Sequence, residues 1–121
     1  MNKIAMMVDD MFFASRIRGA ALNTGREVVS VKSVEQIEND PPVMVLLDLN
    51  SQKFDAISII EFMKSKAELS RVPVLAFLSH VQVDLKRRAE EAGCDYVIPR
   101  SLFTRMLTEI ISGDLSSLKG R

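Results

Sequence analysis

Short apolar runs alternate with longer amphipathic stretches along almost the whole chain. Strand-like runs occupy Lys3 to Val8, Glu27 to Val31, Val43 to Asp48, Val74 to Leu78 and Tyr96 to Ile98. The stretches between them carry the spacing of helices. Met11 to Thr24 places Phe13, Ile17 and Ala21 four apart, and Gly25 stands where a left-handed helix end is wanted. Ser33 predicts the N-cap of a second helix that ends near Asn39, where Pro41 and Pro42 stop it and launch the next strand. Ala56 to Lys66 carries Ile57, Ile60 and Met63, and Asp84 to Ala92 is followed by Gly93. Ser101 is expected to cap a fifth helix with an apolar stripe of Leu102, Met106 and Ile110, widened by Phe103, Leu107 and Ile111.

Strict strand–helix alternation predicts an α/β fold, a parallel five-stranded sheet wound with helices on both faces. Each parallel crossover must be right-handed and needs a helix-length connection. Central runs such as Val74 to Leu78 are apolar throughout, as strands covered on both faces should be. In such sheets the ligand crevice lies beyond the carboxyl ends of the strands, where the strand order reverses.

The chain has 121 residues, 47% hydrophobic and 26% charged, with equal numbers of acids and bases. That is the size of one domain with its own core, expected over residues 1–113, with 114–121 as a tail or the start of a linker. Zero net charge removes the electrostatic footprint of a direct nucleic-acid binder. The single Cys94 has no partner for an internal disulfide and reads as packing before the last strand. The start lacks a signal-peptide core and no apolar run approaches membrane-spanning length, so the expectation is a cytoplasmic protein with no direct membrane contact.

The chemistry gathers at two strand ends. Ile4 to Val8 ends in Asp9 and Asp10, and Val43 to Leu47 ends in Asp48. Carboxylates brought close together raise one another's pKa unless a cation sits among them, so such a pocket binds a hard divalent metal or carries a proton. A plainer use exists for Asp10, which precedes Met11 as a helix N-cap would. His80 has no partner at metal-ligand spacing and reads as a rim residue, and Lys86, Arg87 and Arg88 beside Glu90 and Glu91 read as a solvated face. Neither a Gly-rich phosphate loop nor a defensible Ser-His-Asp spacing is present, which speaks against a small enzyme.

From Lys3 to about Ile111 the chain resembles the receiver domain of bacterial response regulators. Val8-Asp9-Asp10 is similar to that family's acidic pair, and Leu46-Leu47-Asp48-Leu49-Asn50 to the segment around its phosphorylated aspartate. The resemblance implies a flavodoxin-like (βα)5 sheet of order 2-1-3-4-5. It implies Asp48 as phosphoacceptor, with Mg²⁺ held by Asp10 directly, Asp9 through water, Asp48 itself and the backbone carbonyl of Asn50. Ser79 stands where the family keeps the hydroxyl that donates to the phosphoryl group. By the same resemblance, the donor is a histidine kinase or phosphotransfer protein, and a downstream signalling protein docks on the face of the fourth helix, fifth strand and fifth helix. A homodimer through that face stays open, and catalysis extends no further than self-phosphorylation from a phosphodonor and autodephosphorylation.

The departures cluster after the fifth strand, where the family keeps Lys followed by Pro. Counted from Ala92-Gly93 the Lys position falls on Arg100, and anchored on Tyr96 it falls on Pro99. Arginine is not a neutral replacement for a point charge, and proline supplies no charge at all. Ser51-Gln52 and Asp55-Ala56 also replace the family's usual Pro and Gly after the acceptor. A second reading therefore stands beside the phosphorelay one: a pseudo-receiver that binds partners without phosphorylation.

Overall fold

The computed structural model describes residues 3–79 and 82–118. Five parallel strands run β1 (Lys3–Met7), β2 (Glu27–Ser30), β3 (Met44–Asp48), β4 (Val74–Leu78) and β5 (Tyr96–Pro99), in the order β2-β1-β3-β4-β5. The intervening helices are α1 (Met11–Ala21), α2 (Val34–Asn39), α3 (Ala56–Ser65) and α4 (Val83–Glu91), and α5 (Arg100–Arg105) and α6 (Leu107–Ser112) follow β5. The order reverses between β1 and β3, so the ends of these two strands face the crevice.

Side chains alternate across a strand, and here the alternation builds two cores. Ile4, Met6, Leu46, Leu75 and Phe77 point to the face covered by Phe13 and Ile17 of α1 and by Phe103 and Ile110 of α5 and α6. Ala5, Met7, Leu47, Ala76 and Leu78 point to the face covered by Ile37, Ile60, Met63 and Ala89 of α2, α3 and α4. Asp48 continues the alternation of Met44 and Leu46, which turns it toward the α1 and α5 side.

Asp10 caps α1, Ser33 caps α2 and Asp55 caps α3 through side-chain oxygens that accept backbone N–H bonds. The C-terminal region differs from the sequence expectation in three ways. Ser101 is not a cap: the helix starts at Arg100, two residues earlier than a Ser101 cap would set it, because Pro99, with φ −63 and ψ 148, already sets the chain for a helix start. The fifth helix is two, broken at Met106, whose φ −106 and ψ 21 leave the helical region. Residues 114–118, expected as a tail, turn back in a short 3₁₀ segment (Ser116–Leu118) that buries Leu118 in the first core.

Gly93 ends α4 with φ +105, a conformation that costs an L side chain about 1–2 kcal/mol. An added Cβ would also lie 2.9 Å from Lys64 Cγ. Lys64 cannot yield freely, because its Nζ donates to the carbonyls of Ser70 and Val72 and pairs with Asp95 at 2.8 Å. Gly93→Ala is expected to cost about 2 kcal/mol, read as a lower urea midpoint with an unchanged slope.

Candidate functional site

Asp48 is the one buried charged residue in the described structure, 4% exposed at the end of the middle strand. Its Oδ1 accepts the Asn50 backbone N–H at 2.9 Å, an Asx-type turn that fixes the start of the following loop. Its Oδ2 lies 3.5 Å from Nη2 of Arg100. Burial pushes the Asp48 carboxyl above its ordinary range; the Asn50 N–H and Arg100 pull it back, and the negative charges of Asp9 and Asp10 add to the push.

The parallel register sets Phe77 beside Asp48 and Ile98 beside Phe77. Because the helix starts at Arg100 directly after Pro99, it is the Arg100 side chain, of the two residues that counting singled out, that meets Asp48. The guanidinium lies over the ring of Phe13 at 4.4 Å and near that of Phe77 at 5.4 Å.

The two acids after β1 are differently engaged. Asp10 Oδ1 accepts from the N–H groups of Phe12 and Phe13 at 2.9 and 3.2 Å, so the plainer cap use is realised. Asp9 accepts from the Ser51 hydroxyl at 2.7 Å and from the Gln52 N–H at 3.2 Å. This ties the loop after β1 to the loop after β3. Ser79, after β4, donates both its N–H at 2.7 Å and its hydroxyl at 3.2 Å to the side-chain oxygen of Asn50. The Asn50 amide nitrogen in turn donates to Gln82 at 2.8 Å.

The structure thus brings Asp48 and Arg100 into contact and sets Asp9 and Asp10 within electrostatic reach. It turns Ser79 toward Asn50. His80 lies outside the described residues. The donor chemistry suits a hard divalent cation, since carboxylates and a carbonyl offer oxygen alone. In the present arrangement no three His, Cys, Asp or Glu residues converge closely enough to hold one among the described residues. Asp10 is engaged as the α1 cap and Asp9 in the bridge to Ser51.

Sequence reasoning missed the seat beneath Arg100. Phe13 showed only the periodicity of a helix stripe and Phe77 only that of a buried strand. It also missed the Asn50 side chain, which carries a bond to each of two later residues. No helix among the described residues is long and apolar enough to cross a membrane. Burial pushes the Cys94 thiol up to about 12, consistent with its packing role.

No family model matches the chain. Curated relatives do. The gliding motility regulatory protein of Myxococcus xanthus is 28% identical over 112 residues, and the match spans 88% of this chain but 14% of that protein. The polar-differentiation response regulator DivK of Brucella ovis is 21% identical over 120 residues, covering 95% of this chain and 98% of DivK. Among solved structures, the phosphorylated cyanobacterial phytochrome response regulator RcpA superposes with a TM-score of 0.77 at 23% identity, covering 98% of this chain and 94% of RcpA. The Mn²⁺-bound form of response regulator Rcp1 gives 0.75 at 18% identity, covering 100% and 97%. The chain has the receiver fold of response regulators, with the sheet order that the sequence resemblance implied.

Proposed function

We propose that residues 1–113 act as a phosphorylatable receiver in two-component signalling, with Asp48 as the phosphoryl acceptor. The observation that carries this is a single buried carboxylate at the switch point of the sheet, faced by a cation and by two further acids. A carboxylate oxygen of Asp48 attacks the phosphorus of a phosphohistidine on a histidine kinase or phosphotransfer protein. The new O–P bond forms as the P–N bond breaks, and the electron pair leaves with the imidazole nitrogen, which takes up a proton. Arg100 offsets charge on the incoming phosphoryl oxygens.

Asp9, Asp10, Asp48 and the backbone carbonyl of Asn50 are the residues that would hold Mg²⁺. When bound, it supplies positive charge that lets a carboxylate and a phosphoryl group approach. The Mn²⁺-bound form of Rcp1 supports a divalent cation on this fold. Ser79 would leave Asn50 to donate to the phosphoryl group, drawing its loop inward and shifting the α4–β5–α5 face on which a downstream protein docks. A cleft on that face is lined by the apolar Leu78, Val83, Val97 and Pro99 together with Lys86, Arg87 and Glu90.

Beryllofluoride with Mg²⁺ mimics the phosphoryl group and tests this directly. Amide NMR signals of Ser79, Gln82 and the α4–β5 region are expected to move in the wild type and not in Asp48→Asn. An unmoved wild-type spectrum would contradict the proposal.

One observation favours the pseudo-receiver reading: Asp48 already has Arg100 as counter-ion, while Asp9 and Asp10 spend their oxygens on Ser51, Gln52 and the α1 cap. On that reading Asp48→Asn leaves partner binding unchanged.

A further inference from the structure

Arg100 stands at one of the two positions where the resemblance puts a lysine, the one whose side chain meets Asp48, and its surroundings suit an arginine. Its Nε is buried and has no hydrogen-bond partner. Its Nη2 approaches Asp48 Oδ2 only to 3.5 Å, beyond a good hydrogen bond. Hydrogen bonds therefore do not fix the head group. Two aromatic faces lie within the ~6 Å at which a ring attracts a cation: Phe13 at 4.4 Å and Phe77 at 5.4 Å.

The rings are held in turn. Phe77 stacks on Phe103 at 4.6 Å with an interplanar angle of 15°, and Phe13 meets Phe77 edge-on at 5.4 Å and 73°. Phe103 is fully buried, so this wall is anchored in the core. A planar, weakly hydrated guanidinium suits such a face, whereas an ammonium is compact and strongly hydrated and lacks a plane to lay on it.

We infer that Phe13 is a positioning residue of the site: its ring face holds the Arg100 guanidinium at Asp48, and the two side chains act as one unit in place of a point-charge lysine. The inference rests on the phosphoacceptor reading of Asp48 and adds the part that places its cation. Phe13 comes from α1 and Arg100 from the far end of the sheet, so the unit also couples the first helix to the fifth strand's exit.

The test compares labelling by acetyl phosphate with Mg²⁺ in the wild type, Phe13→Leu, Phe13→Tyr, Arg100→Lys and the Phe13→Leu/Arg100→Lys double variant, each checked for folding by its amide spectrum. Phe13→Leu is expected to slow labelling about tenfold, corresponding to about 1.4 kcal/mol. Phe13→Tyr keeps the ring and should stay within about twofold, while the double variant should be no slower than Arg100→Lys alone. In parallel, the Arg100 Nε–H signal, assigned by its loss in Arg100→Lys, should be shifted by the ring current in the wild type and Phe13→Tyr. In Phe13→Leu it should move most of the way toward the ordinary arginine position, the remaining shift being that of the more distant Phe77 ring.

That signal does not depend on phosphorylation. If the wild type takes up no phosphoryl group, the proposed function fails and the signal alone decides the placement of Arg100. If Phe13→Leu leaves the signal unmoved, or if its full cost persists in the Arg100→Lys background, the inference is overturned.

Discussion

Asp48→Asn is expected to make the protein more stable while removing its capacity to accept a phosphoryl group. Burial is the largest cause of the raised Asp48 pKa, and the charges of Asp9 and Asp10 add to it. A carboxyl whose folded pKa is raised binds its proton more tightly in the folded chain than in the unfolded one. The associated stability is fully present below the ordinary value of 3.8 and is lost as pH rises through the raised value. Above that raised value the Asp48 carboxyl therefore costs stability, and the neutral amide removes that cost. Arg100 loses its counter-charge in the variant, but its side chain is 31% exposed and water offsets most of the loss. The melting temperature in chelator at pH 7 should rise by about 2–6 °C, and the gain should close as pH falls toward about 4. A variant less stable than the wild type at pH 7 would show that Arg100 and Asn50 outweigh burial at this position.

Truncating Phe103 to Ala is expected to produce the largest loss of stability of the changes considered. The ring is fully buried, stacks on Phe77 and lies 5.8 Å from Phe13. Phe→Ala in a packed core costs about 3–5 kcal/mol, set against a total of about 5–15 kcal/mol for a domain. Chemical denaturation should show a much lower midpoint. Phe103→Leu, which refills most of the volume, should recover more than half of the loss. Equal losses in the two variants would mean that ring stacking, and not volume, carries the energy.

The fold was legible because its signals are local. Apolar runs, caps at Asp10 and Ser33 and the breaks at Pro41 and Gly93 each act within a few residues, and the alternation they define admits few topologies. The break at Met106 left no trace in the pattern, since Leu102 and Phe103 before it and Leu107, Ile110 and Ile111 after it bury the same face. The two acidic strand ends were legible as a candidate site for the same local reason.

The rest of the site depends on residues far apart in sequence. Counting could not choose between Pro99 and Arg100, because the choice turns on where the helix begins relative to the sheet edge. Phe13 becomes part of the site only through contact with a residue 87 positions later, and no local pattern distinguishes it from an ordinary core residue. Ser79 was read as a donor to the acceptor's phosphoryl group, and here its hydroxyl rests on Asn50.

Intact-protein mass spectrometry after incubation with acetyl phosphate, with and without Mg²⁺, on the wild type and on Asp48→Asn, tests the central claim most directly. The predicted result is a Mg²⁺-dependent gain of one phosphoryl group in the wild type alone. Absence of the adduct from the wild type in the presence of Mg²⁺, or an equal adduct on Asp48→Asn, would contradict it.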